Sequence, residues 1–178
     1  MILSDGWISF SSVTNKNARL GFAQSLAHFE YLWFVFTLLS HYCSSYPTFR
    51  NRTRFGKLTY SLQFFTRSLP YFTQLHSLFY VNGIKVKPPK GVFYNLLTPA
   101  ALAHWIMGDG NRDGKGNGLL LCTNSFSIKE TVRLINVLMI RYRFDCTLRL
   151  IHKGEPVIYI RVKSMPSLRS VVIPQIRS

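Results

Sequence analysis

Two acid–glycine pairs are the first residues in this chain whose type and spacing could do chemistry. Asp5-Gly6 and Asp109-Gly110 close two similar hexapeptides, Met1-Ile2-Leu3-Ser4-Asp5-Gly6 and Trp105-Ile106-Met107-Gly108-Asp109-Gly110. The second hexapeptide ends a helical pattern. Thr98-Pro99 supplies an N-cap and a first-turn proline; Leu102, Trp105, Ile106 and Asp109 share one stripe, and Gly110 stops the helix. A carboxylate at that end is electrostatically misplaced, because a helix C-terminus already carries about −0.5 charge. Two such helices packed side by side about a pseudo-twofold axis would also bring the carboxylates together. A divalent cation relieves that cost, and hard oxygen ligands suit Mg²⁺ or Mn²⁺. Paired carboxylates holding a metal beside cationic strands suggest metal-assisted phosphodiester hydrolysis.

The elements that must position these acids repeat. After each hexapeptide comes a strand-like stretch ending in an amide–serine pair, Leu20 to Gln24-Ser25 and Leu119 to Asn124-Ser125, and then a long helical segment. Arg67-Ser68-Leu69-Pro70 matches Lys163-Ser164-Met165-Pro166. The offsets of Asp5–Asp109, Gln24–Asn124 and Arg67–Lys163 are 104, 100 and 96, the slow drift that loop insertions and deletions leave in two copies of one unit. Residues 1–84 form the first unit, 85–97 a Pro/Gly-containing linker around Lys87-Pro88-Pro89-Lys90-Gly91, and 98–178 the second unit. Ser127-Ile128-Lys129-Glu130 is a capping box that opens a helix to about Arg143, with Ile128, Val132, Ile135 and Met139 expected inward. The first long helix, about Leu26 to Tyr42, is apolar on nearly every side and is expected to be largely buried. Between Asp145 and Lys163, two alternating strands flank Lys153-Gly154-Glu155-Pro156. Leu148, Leu150, Ile158, Ile160 and Val162 take one face; Arg149, Tyr159, Arg161 and Lys163 take the other. Leu58, Tyr60, Leu62 and Phe64 alternate in the same way with Lys57, Thr59, Ser61, Gln63 and Arg67. Each half thus carries an antiparallel sheet with an apolar face for helices and a cationic face for a partner.

Composition agrees. The chain has 178 residues, 22 Lys and Arg against 7 Asp and Glu, and a net charge of +15. Apolar residues make up 47% and aromatics 15%, which excludes disorder as the main state. Such a charge calls for a polyanion, nucleic acid before an anionic membrane surface. The apolar run Tyr31–Leu39 is far short of the ~20 residues that span a bilayer. No signal peptide is visible. Cys43, Cys122 and Cys146 fit buried free thiols and a reducing compartment rather than a disulfide framework. Gly114-Lys115-Gly116-Asn117-Gly118 lacks the strand-before-helix setting of a phosphate loop and reads as a flexible hairpin loop. His104 and Trp105 read as packing residues. No zinc spacing and no nucleophile elbow is present.

The stretch Leu102-Ala103-His104-Trp105-Ile106-Met107-Gly108-Asp109-Gly110 resembles the nonapeptide of the LAGLIDADG homing endonucleases, and Met1 to Gly6 resembles the last part of a first copy. The likeness runs over almost the whole chain and is nearest the single-chain, two-motif, intron-encoded branch of organellar genomes. Met1 falls inside the first motif, so that copy is expected to be truncated. The resemblance implies an α+β fold of two αββαββα units about a pseudo-twofold axis, with the motif helices as interface and the antiparallel sheets as a DNA-binding saddle. It implies metal at Asp5 and Asp109, with Ser4 and Gly108 beside them. It assigns Gln24 and Asn124 to ordering solvent at the scissile phosphates, and Lys163 and Arg67 to the basic periphery of the site. Gln24 shares the parity of Leu20 and Phe22 and needs a bulge or strand end to reach a phosphate. The residues expected on nucleic acid are Arg19, Arg50, Arg52, Arg54, Lys57, Thr59, Ser61 and Gln63 in the first unit. In the second they are Arg112, Lys115, Arg149, Lys153, Tyr159 and Arg161. The implied partner is double-stranded DNA over about twenty base pairs, two turns of duplex, bound by a monomer in the mitochondrion with no membrane involved. The alternatives are an RNA maturase that clamps a group I intron, and a degenerate copy kept as a structural RNA-binding protein.

Overall fold

Short amphipathic segments dominate this chain, and several bury one face on a sheet. The computed structural model describes every residue except 1, 3, 55, 86–89, 115, 124–125, 152–153 and 178; for 52, 54, 90–92 and 177 only the backbone is described. The chain divides into two compact units, Ile2–Val86 and Lys87–Ser178.

In the first unit, a turn through Ser4 and Asp5 leads into strand β1 (Gly6–Phe10). There follow β2 (Ala18–Ser25), helix α1 (Phe29–Leu39), β3 (Thr48–Arg54), β4 (Lys57–Phe65), α2 (Pro70–Phe79) and a small hairpin, β5 (Tyr80–Val81) and β6 (Ile84–Lys85). The four long strands form an antiparallel sheet in the order β1-β2-β4-β3. Directly opposed residues of an antiparallel pair share a face. The registers Ile8↔Leu20 and Phe22↔Phe64 therefore gather Ile8, Leu20, Phe22, Leu62 and Phe64 on one side. All five are buried, under Leu32, Val35 and Phe36 of α1 and Phe72 and Phe79 of α2.

Two expectations need correction here. Helix α1 buries one stripe only: Phe29, Trp33 and Leu38 are each more than 40% exposed, and 3-10 turns at Leu26–His28 and Ser40–Tyr42 take up the ends of the expected longer helix. An apolar helix laid on one sheet has a single face to bury, however apolar its other faces. Likewise Leu62 and Phe64 are buried but Leu58 and Tyr60 are exposed. The β3–β4 hairpin runs beyond the reach of the helices and turns at Gly56, whose φ of +72° is one that L side chains rarely adopt.

The second unit repeats the sheet. Helices α3 (Lys90–Leu96) and α4 (Pro99–Asp109) precede β7 (Gly110–Arg112) and β8 (Leu119–Cys122); then come α5 (Ile128–Tyr142), β9 (Cys146–Leu150), β10 (Pro156–Ile160) and α6 (Met165–Arg177). The strand order, β7-β8-β10-β9, is that of the first sheet. The fold is α+β, as the duplicated pattern requires. Helix α3 lies inside the stretch expected to be linker. It packs on α5, where Tyr142 Oη donates to the Leu97 carbonyl at 2.6 Å and Arg141 reaches the Tyr94 carbonyl.

Helix α5 has the capping box: Ser127 Oγ accepts from Glu130 N–H and the Glu130 carboxylate accepts from Ser127 N–H. It closes at Arg143 in the left-handed region. Its inward face is Thr131, Leu134, Ile135 and Leu138. Of the four residues expected inward only Ile135 is buried; Ile128, Val132 and Met139 are exposed. Two overlapping apolar stripes were available, and the buried hydroxyl of Thr131, donating to the Ser127 carbonyl at 3.1 Å, shows how the rotated one tolerates a polar residue. Strand β10 ends at Ile160, not Lys163. Val162–Ser164 is a 3-10 turn leading into α6, where Ser164 Oγ accepts from Asp145 N–H at 2.8 Å, and Val162 is 48% exposed.

Candidate nucleic-acid interface

The first acid sits at the mouth of the first sheet. Asp5 is exposed in the turn before β1. Gln24 lies near the C-terminal end of β2, beyond the register that pairs Gly6 with Phe22, and its side-chain amide donates to Asp5 Oδ2 at 2.6 Å. The strand end thus overcomes the parity that pointed Gln24 toward the core, and two of the expected site residues meet. Sequence reading missed what anchors this corner. The β5–β6 hairpin turns through Asn82 and Gly83, both at positive φ. It holds the edge strand twice: Lys85 Nζ donates to the Gly6 carbonyl at 3.0 Å, and Tyr80 Oη accepts from Ile8 N–H at 3.0 Å. An Asn-Gly turn beside a lysine was the available signal.

The second acid ends α4 as expected. Thr98 Oγ1 accepts from Ala101 N–H at 3.2 Å, Asp109 is the last helical residue, and Gly110 begins β7. A Cβ on Gly110 would lie 2.4 Å from the Ile106 carbonyl oxygen, so only glycine passes the chain from helix to strand there. Leu102, Ala103 and Trp105 are fully buried. Burial lowers the His104 imidazole to about 4, so it is neutral at physiological pH. Both side chains pack, as expected.

A hard cation fits this donor chemistry. Among the described residues, no three His, Cys, Asp or Glu side chains gather into a protein cage. Mg²⁺ is commonly held by one or two carboxylates, with substrate phosphates supplying the rest.

The outer face of the first sheet carries the cations expected there. In the first unit the registers Ser9↔Arg19, Arg50↔Ser61, Arg52↔Thr59, Arg54↔Lys57 and Ala23↔Gln63 place every residue expected on nucleic acid on the face opposite the helices. Of Arg52 and Arg54 only the backbone positions are described. The Arg19 guanidinium lies 4.0 Å over the Phe65 ring. Trp7 crosses Gly21, where a Cβ would come within 2.4 Å of the indole.

In the second unit Asn111, Arg149, Val157 and Tyr159 share the outer face. Arg149 Nη1 donates to Asp113 Oδ2 at 3.0 Å, and its guanidinium carbon sits 3.4 Å from the Tyr159 ring centroid. Arg112 takes the parity of the apolar face at the end of β7. It is exposed and donates to Asn117 Oδ1 at 2.6 Å within its own hairpin. Lys163 Nζ lies 2.7 Å and Arg161 Nη1 3.5 Å from Asp145 Oδ2. The Lys163 hydrogen bond, with the nearby Arg161 charge, holds the Asp145 carboxyl below the usual carboxylate range. Arg67 donates to the His41 carbonyl at 2.5 Å. Asn124, Lys115 and Lys153 lie outside the described residues. The loop expected to be flexible is tied: Asp113 N–H donates to the Gly118 carbonyl at 3.0 Å and Gly116 N–H to the Asp113 carbonyl at 3.2 Å. Cys43, Cys122 and Cys146 are free thiols, and burial, with the Asp145 charge, pushes Cys146 up to about 12. Among the described residues no helix is long and apolar enough to cross a membrane.

Comparison with known proteins matches this arrangement. A cytochrome b mRNA maturase bI2 of Debaryomyces hansenii is 34% identical over 169 residues, which is 90% of this chain and 62% of that protein, so the chain spans less than two thirds of its length. A probable intron-encoded endonuclease 1 of Wickerhamomyces canadensis is 31% identical over 171 residues, 91% of this chain and 71% of that one. The homing endonuclease I-WcaI bound to its DNA recognition sequence superposes with a TM-score of 0.86 at 28% identity, over 98% of this chain and 77% of that one. The model of the LAGLIDADG DNA endonuclease family matches residues 1–168. With that match over nearly its whole length, and with the acid-ended helix and the duplicated sheet already in place, the chain belongs to the LAGLIDADG DNA endonuclease family.

Proposed function

We propose that this chain is a site-specific endodeoxyribonuclease that makes a metal-dependent double-strand break at an intron-insertion site. The observation that carries the reading is the duplicated placement of acid and sheet. Asp5 precedes β1 and Asp109 precedes β7, and each of those strands is the edge of a sheet of identical order. The cationic outer face of the first sheet, with Arg149 exposed on that of the second, supports duplex DNA as the partner, over about twenty base pairs, with the chain acting as a monomer. The related proteins' intron-encoded character supports an organellar setting, the mitochondrion.

In this reading Asp5 and Asp109, with Ser4 and Gly108 beside them, would hold Mg²⁺ or Mn²⁺ together with the scissile phosphates. A cation held there would supply charge stabilisation at a phosphoryl oxygen and a more acidic water. The chain's own work is positional. Gln24 orients the Asp5 carboxylate through its amide and presents its remaining polar atoms to solvent beside the phosphate; Asn124 is its counterpart in the second unit. The β5–β6 hairpin holds β1, and so Asp5, against the pull of a bound cation. Lys163 and Arg67 lie at matched places after the last strand of each sheet, at the basic periphery.

The test is incubation with duplex DNA carrying the intron-free allele of the host gene, with and without Mg²⁺. Cleavage of both strands only with the metal supports the reading, and absence of any cutting in Mg²⁺ or Mn²⁺ contradicts it. The maturase relative favours a second reading, in which the same fold clamps intron RNA. Splicing support that survives Asp109→Asn, without cleavage by the unsubstituted chain, would select it.

A further inference from the structure

The geometry points to Arg149 as a fixed reader of one guanine in the DNA, with Asp113 as the residue that positions it. This rests on the proposed binding of duplex DNA. Arg149 emerges on the outer face of the second sheet, where its side chain remains 42% exposed. Two contacts fix it. Asp113 Oδ2 accepts from Nη1 at 3.0 Å, and the Tyr159 ring lies 3.4 Å under the guanidinium carbon. Neither contact is a loose surface accident. Asp113 is 8% exposed and Tyr159 9% exposed. Asp113 is held by backbone bonds to Gly116 and Gly118. A Cβ on Gly118 would come within 2.5 Å of the Tyr159 ring and 2.7 Å of the Ile160 carbonyl oxygen, so the glycine is what lets the loop close over that ring.

A guanidinium has five N–H donors in a planar fork. Asp113 uses one, and among the described residues no other acceptor engages Arg149. The remaining fork matches the two acceptors that guanine alone presents together in the major groove, O6 and N7. Adenine and cytosine offer an amino donor where the fork needs an acceptor. A phosphate is the poorer ligand, because the Asp113 carboxylate neutralises Arg149 locally and would repel an anion. Arg149 therefore adds sequence preference rather than salt-dependent affinity.

Selection from a pool of randomised duplexes tests this, read as base preference at each position and as salt dependence. The unsubstituted chain should fix guanine at one position of the half-site under the second unit. Arg149→Ala should lose about ten- to a hundred-fold of discrimination at that position alone, with an unchanged slope of log affinity against log salt. Arg149→Met keeps the aliphatic stem but no donor, and should lose the same preference; it serves if the alanine variant fails to fold. Asp113→Asn should weaken the guanine preference and steepen the salt slope by about one phosphate, as the freed charge turns to the backbone. Guanine preference untouched in Arg149→Met, or a uniform loss across all bases with a shallower slope in Arg149→Ala, overturns the assignment. An unsubstituted chain that binds no duplex overturns the DNA reading itself.

Discussion

The outer faces of the two sheets differ in how their cations are held. Residues 2–86 carry eight Lys and Arg against two acids, and residues 87–178 carry fourteen against five. The second half is the more cationic, yet more of its described cations are paired with carboxylates. Arg149 is bonded to Asp113, and Arg161 and Lys163 flank Asp145. In the first unit the described cations of the outer face have no carboxylate within ion-pair distance among the described residues, and Arg19 is steadied by Phe65 instead. One topology thus presents charge in two ways. An uncompensated stripe attracts phosphates and gives affinity; a compensated, stacked guanidinium gives up field strength for a fixed hydrogen-bonding pattern.

The largest expected effect comes from the loop that makes this difference. Gly118→Ala must displace the Tyr159 ring and the Ile160 backbone, and should cost about 3 kcal/mol in a denaturant titration. A comparable change on the outer face of the first sheet, Gly21→Ala, meets only the Trp7 side chain. Trp7 is half-buried and can swing aside, so the cost should be nearer about 1 kcal/mol. Equal losses would remove the contrast between a locked and an adjustable outer face.

The next effect is on binding. Arg50→Gln with Lys57→Gln should lower duplex affinity roughly ten-fold or more at physiological salt and flatten the salt slope by about two. The loss should be the same for every base sequence. A loss confined to one base position would mean that the first sheet reads bases through those residues.

Acid should act on the second unit through His104. Its folded value, about 4, lies below the ordinary histidine range. Between that range and about 4 the unfolded chain binds a proton that the folded chain does not, so stability falls as the pH drops through that window. The slope should stay below about 1.4 kcal/mol per pH unit, since partial exposure screens the group. His104→Asn should flatten the melting-temperature profile there; an unchanged profile would remove His104 as its cause. The smallest effect belongs to Asp145, whose depressed pKa makes its contribution present above the ordinary carboxylate range and lost as pH falls through its folded value. Lys163→Met should shift the melting temperature by a degree or so at neutral pH, and less in strong acid.

Local signals explain what was readable beforehand. The Ser127–Glu130 capping box and the Gly110 stop act within a few residues, so they survive without tertiary context. Alternation along β4 places Lys57, Thr59, Ser61 and Gln63 on one face for the same reason. Choosing the inward side of α5 was not local: Ile128, Val132 and Met139 are as apolar as Leu134 and Leu138, and only the sheet beneath decides between them. The Asp113–Arg149 pair joins residues 36 apart, and no local pattern around Asp113 marks it. The Lys85 clamp on Gly6 spans 79 positions and left no mark beyond a turn signal.

A strand-resolved cleavage assay on the intron-free allele tests the central claim most directly, that each unit contributes one acid to phosphodiester hydrolysis. Asp5→Asn and Asp109→Asn should each bind the duplex about as tightly as the unsubstituted chain in Mg²⁺ while abolishing the double-strand break. Wild-type cutting of both strands by either variant would contradict it.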